Sequence, residues 1–181
     1  MDARERGECM RMILDGQKAG LEELYGDCFQ AVFAYALSIL RDWQRAEDAA
    51  QEVFLKAWLR ADTYRFGNDP KTWLMGIAKN TALDALRGGK AEVSDADAAD
   101  LLIQNASFDD TEDGVVSKLF WDRVLVQLGE ADREIFVLRN LSDLTLAQIS
   151  GLVGLPVYTV ARRNAAAVKE IRQILKGSEW V

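Results

Sequence analysis

The sequence predicts an all-α protein: two small helical domains joined by an acidic flexible linker. Three observations predict it. The 181 residues hold only two prolines, Pro70 and Pro156, and each sits where a helix would begin. No stretch sustains the period-two alternation of a half-buried strand. The net charge of −7 is concentrated in one segment: residues 1–87 carry −2, residues 88–118 carry −6, and residues 119–181 carry +1.

Residues 88–118 open with Gly88-Gly89 and carry Asp95, Asp97, Asp100, Asp109, Asp110, Glu112 and Asp113 among few large apolar side chains. Such a segment buries too little apolar area to offset the entropy of ordering it, so a tether is expected, with at most a transient turn at Asp100–Gln104. The expected helices before it lie near residues 18–25, 28–41, 44–62 and 70–87. Those after it lie near 115–128, 131–140, 144–151 and 156–175.

Composition narrows the function. There is no histidine, which removes the commonest general base and metal ligand. Cys9 and Cys28 lack CxxC spacing, so Cys28 reads as a small core residue and Cys9 as incidental. No phosphate-loop, dinucleotide or nucleophile-elbow motif occurs. An enzyme is not expected, and neither is a cofactor. The N-terminal MDARERGECM lacks the apolar core of a secretion signal, and the longest apolar run, around Ala31–Leu40, is too short to span a bilayer. The expected location is cytoplasmic, without membrane insertion.

On a helical wheel Ala46, Ala50, Val53, Phe54, Ala57, Trp58 and Ala61 share the expected core stripe. Asp48, Glu52, Leu55 and Leu59 fall opposite, with Gln51 beside them. Leucines among carboxylates on a non-core face suggest a protein contact.

Asp69 and Pro70 read as the cap and first residue of the next helix. There Leu74, Ile77, Ala78, Thr81 and Ala85 form the expected buried stripe. Thr72, Gly76, Lys79, Asn80, Leu83 and Arg87 form another face, whose cations and amide suit phosphates and base edges. The preceding loop, Tyr64-Arg65-Phe66-Gly67-Asn68, offers rings and an amide for an unstacked base.

Near the C-terminus, LTLAQISGLVGLPVYTVARR has the layout of a helix-turn-helix. Leu144-Thr145 opens the first helix, Gly151–Leu155 makes the turn and Pro156 starts the second. Thr159, Arg162, Arg163 and Lys169 are expected outside, and Val160, Val168, Ile171 and Leu175 inside.

In this order the pieces resemble a bacterial sigma factor of the extracytoplasmic-function (ECF) group of the sigma-70 family, the minimal kind with only the second and fourth conserved regions. The second-region pattern appears as Glu47-Asp48, Gln51-Glu52-Val53-Phe54-Leu55-Lys56-Ala57-Trp58, then Trp73-Leu74, Ala78, Asn80, Asp84 and Arg87. The fourth-region pattern runs from Leu144 to Val160. The resemblance covers about residues 18–87 and 119–176. It implies that Asp48, Gln51, Glu52 and Leu55 dock on the clamp of the RNA polymerase largest subunits. It implies that Tyr64, Arg65, Phe66, Asn68, Lys79, Asn80 and Arg87 melt and read the −10 promoter element. Tyr158, Thr159, Arg162 and Arg163 would read the −35 element, the linker would thread near the polymerase RNA path, and an anti-sigma factor would block these surfaces.

One departure stands out. The second helix of the motif is alanine-rich, and Asn164 takes a position usually filled by a large apolar residue. Fewer cations there mean fewer phosphate contacts and a shallower salt dependence. Two other classes fit the same residues: a helix-turn-helix regulator whose N-terminal helices only dimerise, and a carboxylate enzyme on a helical bundle, which would need inward-facing acid pairs.

Overall fold

The computed structural model describes residues 1–88 and 118–177, apart from 119 and 122. The chain divides into two compact units, the first from Met1 and the second ending at Val181. Residues 89–117 of the expected linker, with its turn at Asp100–Gln104, lie outside the described residues. Among the described residues every regular element is helical.

The first unit is a four-helix bundle of α1 (Ala3–Leu14), α2 (Lys18–Leu40), α3 (Trp43–Leu59) and α4 (Pro70–Leu86). α2 is the central helix and packs on the other three. It is buried on nearly every side through its second half, from Ala31 to Leu37. Tyr25 and Phe29 stack at 4.7 Å between ring centres, and Phe54 of α3 closes on Tyr25 at 4.8 Å.

Two features depart from the sequence expectation. α2 is a single helix of 23 residues, not two broken near Gly26. Asp27 lies inside this helix, where its carboxylate binds the N-terminal ammonium at 2.8 Å and Arg6 at 3.0 Å. α1 was not expected at all. Asp2 caps it, accepting from the backbone of Arg4 and Glu5, while Glu5 reaches back to the Asp2 amide at 2.7 Å. This reciprocal cap satisfies amides that otherwise lack partners. Arg6, Cys9, Met10 and Ile13 then form the inward stripe.

α1 lies very close to α2. A Cβ on Gly20 would meet the Cys9 carbonyl oxygen at 2.6 Å and Met12 Cβ at 2.7 Å. Gly20→Ala is therefore expected to force the helices apart and destabilise the protein by about 1–3 kcal/mol. A urea titration checks this; an unchanged midpoint would contradict the close approach.

Both thiols are buried in this packing, so Cys9 is a core residue rather than an incidental one. Burial first, then the neighbouring Glu23, pushes the Cys9 thiol up to about 11; burial first, then Asp27, pushes Cys28 up to about 12. At neutral pH both are protonated and unreactive. Alkylation by iodoacetamide at pH 8 is expected to be at least tenfold slower in the folded chain than in urea. Because the unfolded chain releases these protons first, stability falls as pH rises from the ordinary thiol value towards 11.

The second unit contains a turn of 3-10 helix at Leu125–Gln127, then α5 (Glu130–Phe136), a π-helical turn at Val137–Leu141, α6 (Leu146–Val153) and α7 (Val157–Gly177). Of the expected helix at 115–128, Lys118, Phe120, Trp121 and Arg123 are helical, and the chain then passes into the 3-10 turn at Leu125–Gln127. The expected helix at 131–140 ends in the π turn, whose exit is fixed by the Leu144 amide bonding to the Leu138 carbonyl at 3.0 Å. Val124, Leu125, Leu128, Ile135, Leu138, Leu144, Ile149 and Val160 form the core. Ala167 and Ile171 continue the α7 stripe, whereas Val168 is half-buried and Leu175 is exposed, so the stripe is rotated from the expected one.

Candidate nucleic-acid and partner interfaces

α3 begins at Asp42, whose carboxylate caps the helix through the Arg45 amide. Ala46, Ala49, Ala50, Val53, Phe54 and Ala57 are buried, close to the expected stripe, while Trp58 is only half-buried. The opposite face carries Asp48, which is exposed, then Gln51, Glu52 and Leu55, which are half-buried, and Leu59, half-exposed. Glu52 is not a bare carboxylate. It pairs with Lys56 at 2.5 Å, and Lys56 also donates to the Thr81 hydroxyl of α4 at 3.0 Å. Glu52 thus stands at the α3–α4 seam, and Asp48 is the more accessible acid.

α4 starts as its sequence dictates: Asp69 caps it through the Lys71 amide at 3.0 Å, with Pro70 first. Its buried stripe is Pro70, Leu74, Met75, Ala78, Thr81 and Ala82. Ile77 and Ala85, expected inside, are half-buried; Met75 and Ala82 take their places. Trp73 and Ile77 leave apolar side chains on more than one face, so periodicity alone did not settle the rotation. The amide face survives this turn. Asn80 and Arg87 are exposed and Lys79 is half-buried. Arg87 lies 3.6 Å from Asp84, but both side chains are more than half exposed, so that pair binds weakly. Thr72 leaves the face, because its hydroxyl is buried.

The loop before α4 is organised by Tyr64, which is buried. Its ring meets Phe66 and Trp73 edge-on at 5.2 and 5.6 Å, and its hydroxyl donates to the Asn68 carbonyl. Burial first, with Asp69 adding to it, raises the phenol above its usual range, so it stays a donor. Tyr64 was expected to offer its ring to a base; it is instead the post on which the loop rests. Phe66, Arg65 and Asn68 are the exposed members, and Gly67 turns the loop with φ +98°, a left-handed conformation that favours glycine.

Two α1 side chains hold this loop, and neither was singled out from the sequence. Arg6 grips Asp69 with two bonds, Nε to Oδ1 at 2.9 Å and a second nitrogen to Oδ2 at 3.0 Å. The same carboxylate that caps α4 is therefore tied to α1. Arg11 lies over the Phe66 ring at 5.4 Å from its centre. The available signal was the Asp2-to-Glu5 capping spacing followed by Arg6, Cys9, Met10 and Ile13 at helical intervals.

In the second unit Thr145 and Gln148 form a reciprocal cap for α6, and Gly154, with φ +72°, ends it. The turn is three residues, Gly154-Leu155-Pro156, shorter than expected. Tyr158 is 74% exposed and Arg162 reaches 6.0 Å from its ring centre, so this pair forms the outer edge of α7. Thr159 is half-buried. Arg163 departs from its expected outward role: it is half-buried and binds Asp132 of the α5 helix at 2.8 Å. Asn164 stands where an apolar residue was expected because Asn140 donates to it at 2.8 Å and also to the Phe136 carbonyl at 2.9 Å.

The sigma-70 region 2 family model matches residues 24–92, which contain α3, the loop and α4, and the sigma-70 region 4 model matches residues 124–173, which contain the helix-turn-helix. The chain belongs to the extracytoplasmic-function group of the sigma-70 family. This sigma factor is 27% identical over 168 residues to the ECF RNA polymerase sigma factor SigW of Bacillus subtilis, across 87% of this chain and 88% of that one. Its fold is similar to that of CnrH, solved with the cytosolic domain of CnrY, at a TM-score of 0.67 and 18% identity over 97% of this chain and 99% of that one. It is also similar to RpoE of Bartonella quintana, solved with the anti-sigma factor NepR, at a TM-score of 0.62 and 22% identity over 87% and 98% of the two chains. A sigma factor is a transcription initiation factor of RNA polymerase, and the two matched regions set this chain in that role. Among the described residues no helix is long and apolar enough to cross a membrane, and no group of three or more acids or cysteines is placed to hold a metal ion.

Proposed function

We propose that this sigma factor divides its work between neighbouring helices of the first unit. Asp48, Gln51, Glu52 and Leu55 of α3 dock on the clamp of core RNA polymerase. Arg65, Phe66 and Asn68 of the loop, supported by Tyr64, capture an extruded base of the −10 element, while Lys79, Asn80 and Arg87 of α4 engage the adjoining strand. The observation that carries this reading is the separation of faces. α3 and α4 are packed against each other, yet Asp48 on one and Asn80 and Arg87 on the other all remain exposed. A bundle that needed only a core would have no use for both.

In the second unit Tyr158, Thr159 and Arg162 contact the −35 element, and Arg163 orients α7 against α5 through Asp132. The exposed Ala165 and Ala166 suit thymine methyl groups. We assign residues 1–87 and 119–181 as the two domains and residues 88–118 as the acidic linker, which lies along the polymerase RNA path. An anti-sigma factor covers these surfaces in the uninduced cell, as the solved complexes of CnrH and RpoE support. The protein acts in the cytoplasm as an initiation factor rather than a catalyst.

Size-exclusion chromatography of the full chain with core polymerase, followed by in vitro transcription and start-site mapping, tests this. Co-elution and promoter-specific transcripts are expected. A stable homodimer that ignores polymerase would instead favour a stand-alone regulator.

A further inference from the structure

We propose that Asn140 and Asn164 are positioning residues for −35 recognition: the amide bridge between them fixes the rotation of α7 about its own axis. This rests on the reading of the second unit as the −35 reader. Packing alone anchors α7 thinly. Its buried residues are Val160, Ala167 and Ile171. Helices usually lock their rotation by interdigitating large side chains. Among the described residues between Val160 and Ile171 only Ala167 is buried, and a methyl group is no such knob.

Polar contacts stand in that gap. Arg163 reaches Asp132 in the first turn of α5 at 2.8 Å. Asn164, the next residue, meets Asn140 in the π turn that follows α5. Two adjacent residues of α7 are thus tied to opposite ends of one segment. The second tether stops α7 from pivoting about the first.

The bridge is directional. A carbonyl only accepts, so the Phe136 carbonyl decides which way the Asn140 amide faces. The Asn140 nitrogen donates to that carbonyl at 2.9 Å and to the Asn164 oxygen at 2.8 Å. One amide therefore joins the exit of α5 to α7. An apolar pair has no comparable preference for angle. Tyr158, Thr159 and Arg162 ride on the same helix, so a small rotation displaces all three against the DNA.

The fold does not hang on this bridge. Asn140 is exposed and Asn164 is half-buried. Ala161, Ala165, Ala166 and Ala167 flank the pair, and alanine is the strongest helix former. Losing the bridge leaves α7 helical and loosens only its setting.

Holoenzyme reconstituted from core polymerase and each full-length variant would be titrated with a promoter found by start-site mapping. The same promoter would then be substituted one base pair at a time across the −35 element. The readout is discrimination: affinity for the intact element divided by affinity for each substituted one. This ratio cancels uniform changes in charge or stability. Asn140→Ala and Asn164→Ala should each lower it about three- to tenfold, the worth of one net hydrogen bond. The double variant should lose no more than either alone, because both remove the same contact. Asn164→Asp keeps an acceptor for Asn140 and should discriminate like the parent. Asn164→Leu fills the space without an acceptor. It should keep at least the parent's urea midpoint yet discriminate as poorly as Asn164→Ala. A merely structural role predicts the reverse order for these two variants.

Arg162→Ala, a direct contact, serves as the comparison. If it lowers discrimination while both alanine variants of the pair match the parent, the bridge is overturned and the −35 reading stands. Parental discrimination in Asn164→Leu, or its loss in Asn164→Asp, overturns the bridge as well. If the parent itself does not distinguish intact from substituted elements, the −35 reading falls, and the bridge with it.

Discussion

Replacing Asn80 and Arg87 together by alanine is expected to abolish promoter opening while leaving core polymerase binding intact. Both side chains are exposed on α4, and neither contributes to the buried stripe of Leu74, Met75, Ala78 and Ala82. Their loss should therefore cost little stability. Among the described residues Arg87 pairs with Asp84 at 3.6 Å, and both side chains are more than half exposed. Removing a base-edge contact costs about 1–3 kcal/mol, and removing a phosphate contact lowers the salt slope by about one. Together these put the expected drop in open complex at roughly 10²-fold or more at moderate salt. Permanganate footprinting of the melted strand reads opening, and co-elution with core reads docking. Loss of docking in this double variant would show that the faces of α3 and α4 had been assigned the wrong way round.

The complementary expectation concerns Asp48. Asp48→Arg with Glu52→Arg should remove polymerase association, because like charges brought together at an interface cost several kcal/mol. The two positions are not equivalent. Asp48 is exposed and accepts a hydrogen bond from Gln44 at 3.2 Å. Glu52 is paired with Lys56, so arginine there also sets two cations against each other at the α3–α4 seam. Asp48→Arg alone is therefore the cleaner probe, and it should weaken core binding by about 10²-fold with an unchanged urea midpoint. Retained association of the single and double variants at moderate salt would refute this contact surface.

The buried ion group of α1 ties the end of the loop and the cap of α4 to α1 and α2. Burial lowers the proton affinity of Arg6, but its bonds to Asp69 and Asp27 more than reverse this, so the guanidinium stays charged. Burial works against an ionised Asp27 as well, and the N-terminal ammonium and Arg6 overcome it, holding that carboxyl below its usual range. Deleting the arginine would leave the partly buried Asp69 without this cation and Asp27 with the N-terminal ammonium alone, which is far more costly than losing a surface pair. The group links the first residue of the chain to the cap of α4, across 68 residues of sequence, and no local pattern announces such a link.

Much of the arrangement was nevertheless readable without coordinates. Local chemistry decides where helices start: Asp69-Pro70, Asp42 and Thr145 behave as their types predict, because a cap depends only on residues within one turn. The α3 stripe was legible because small and aromatic residues fall on one side and acids on the other. The order of the acidic helix, aromatic loop, amide helix and helix-turn-helix was sufficient to identify the family.

Contacts between distant segments decided the rest. α2 runs unbroken through Gly26, and Arg6 and the N-terminus engage its Asp27 from segments that no local pattern reads. α4 is rotated because its apolar residues lie on several faces and only the neighbouring helices choose among them. Tyr64 and Arg163 turn inward because Asn68, Trp73 and Asp132 meet them there. Periodicity and caps are properties of a few adjacent residues, so the sequence alone determined the helical class, most helix starts and the family. Which side chain of a helix faces a partner is a property of the assembled bundle, and only the tertiary structure could supply it.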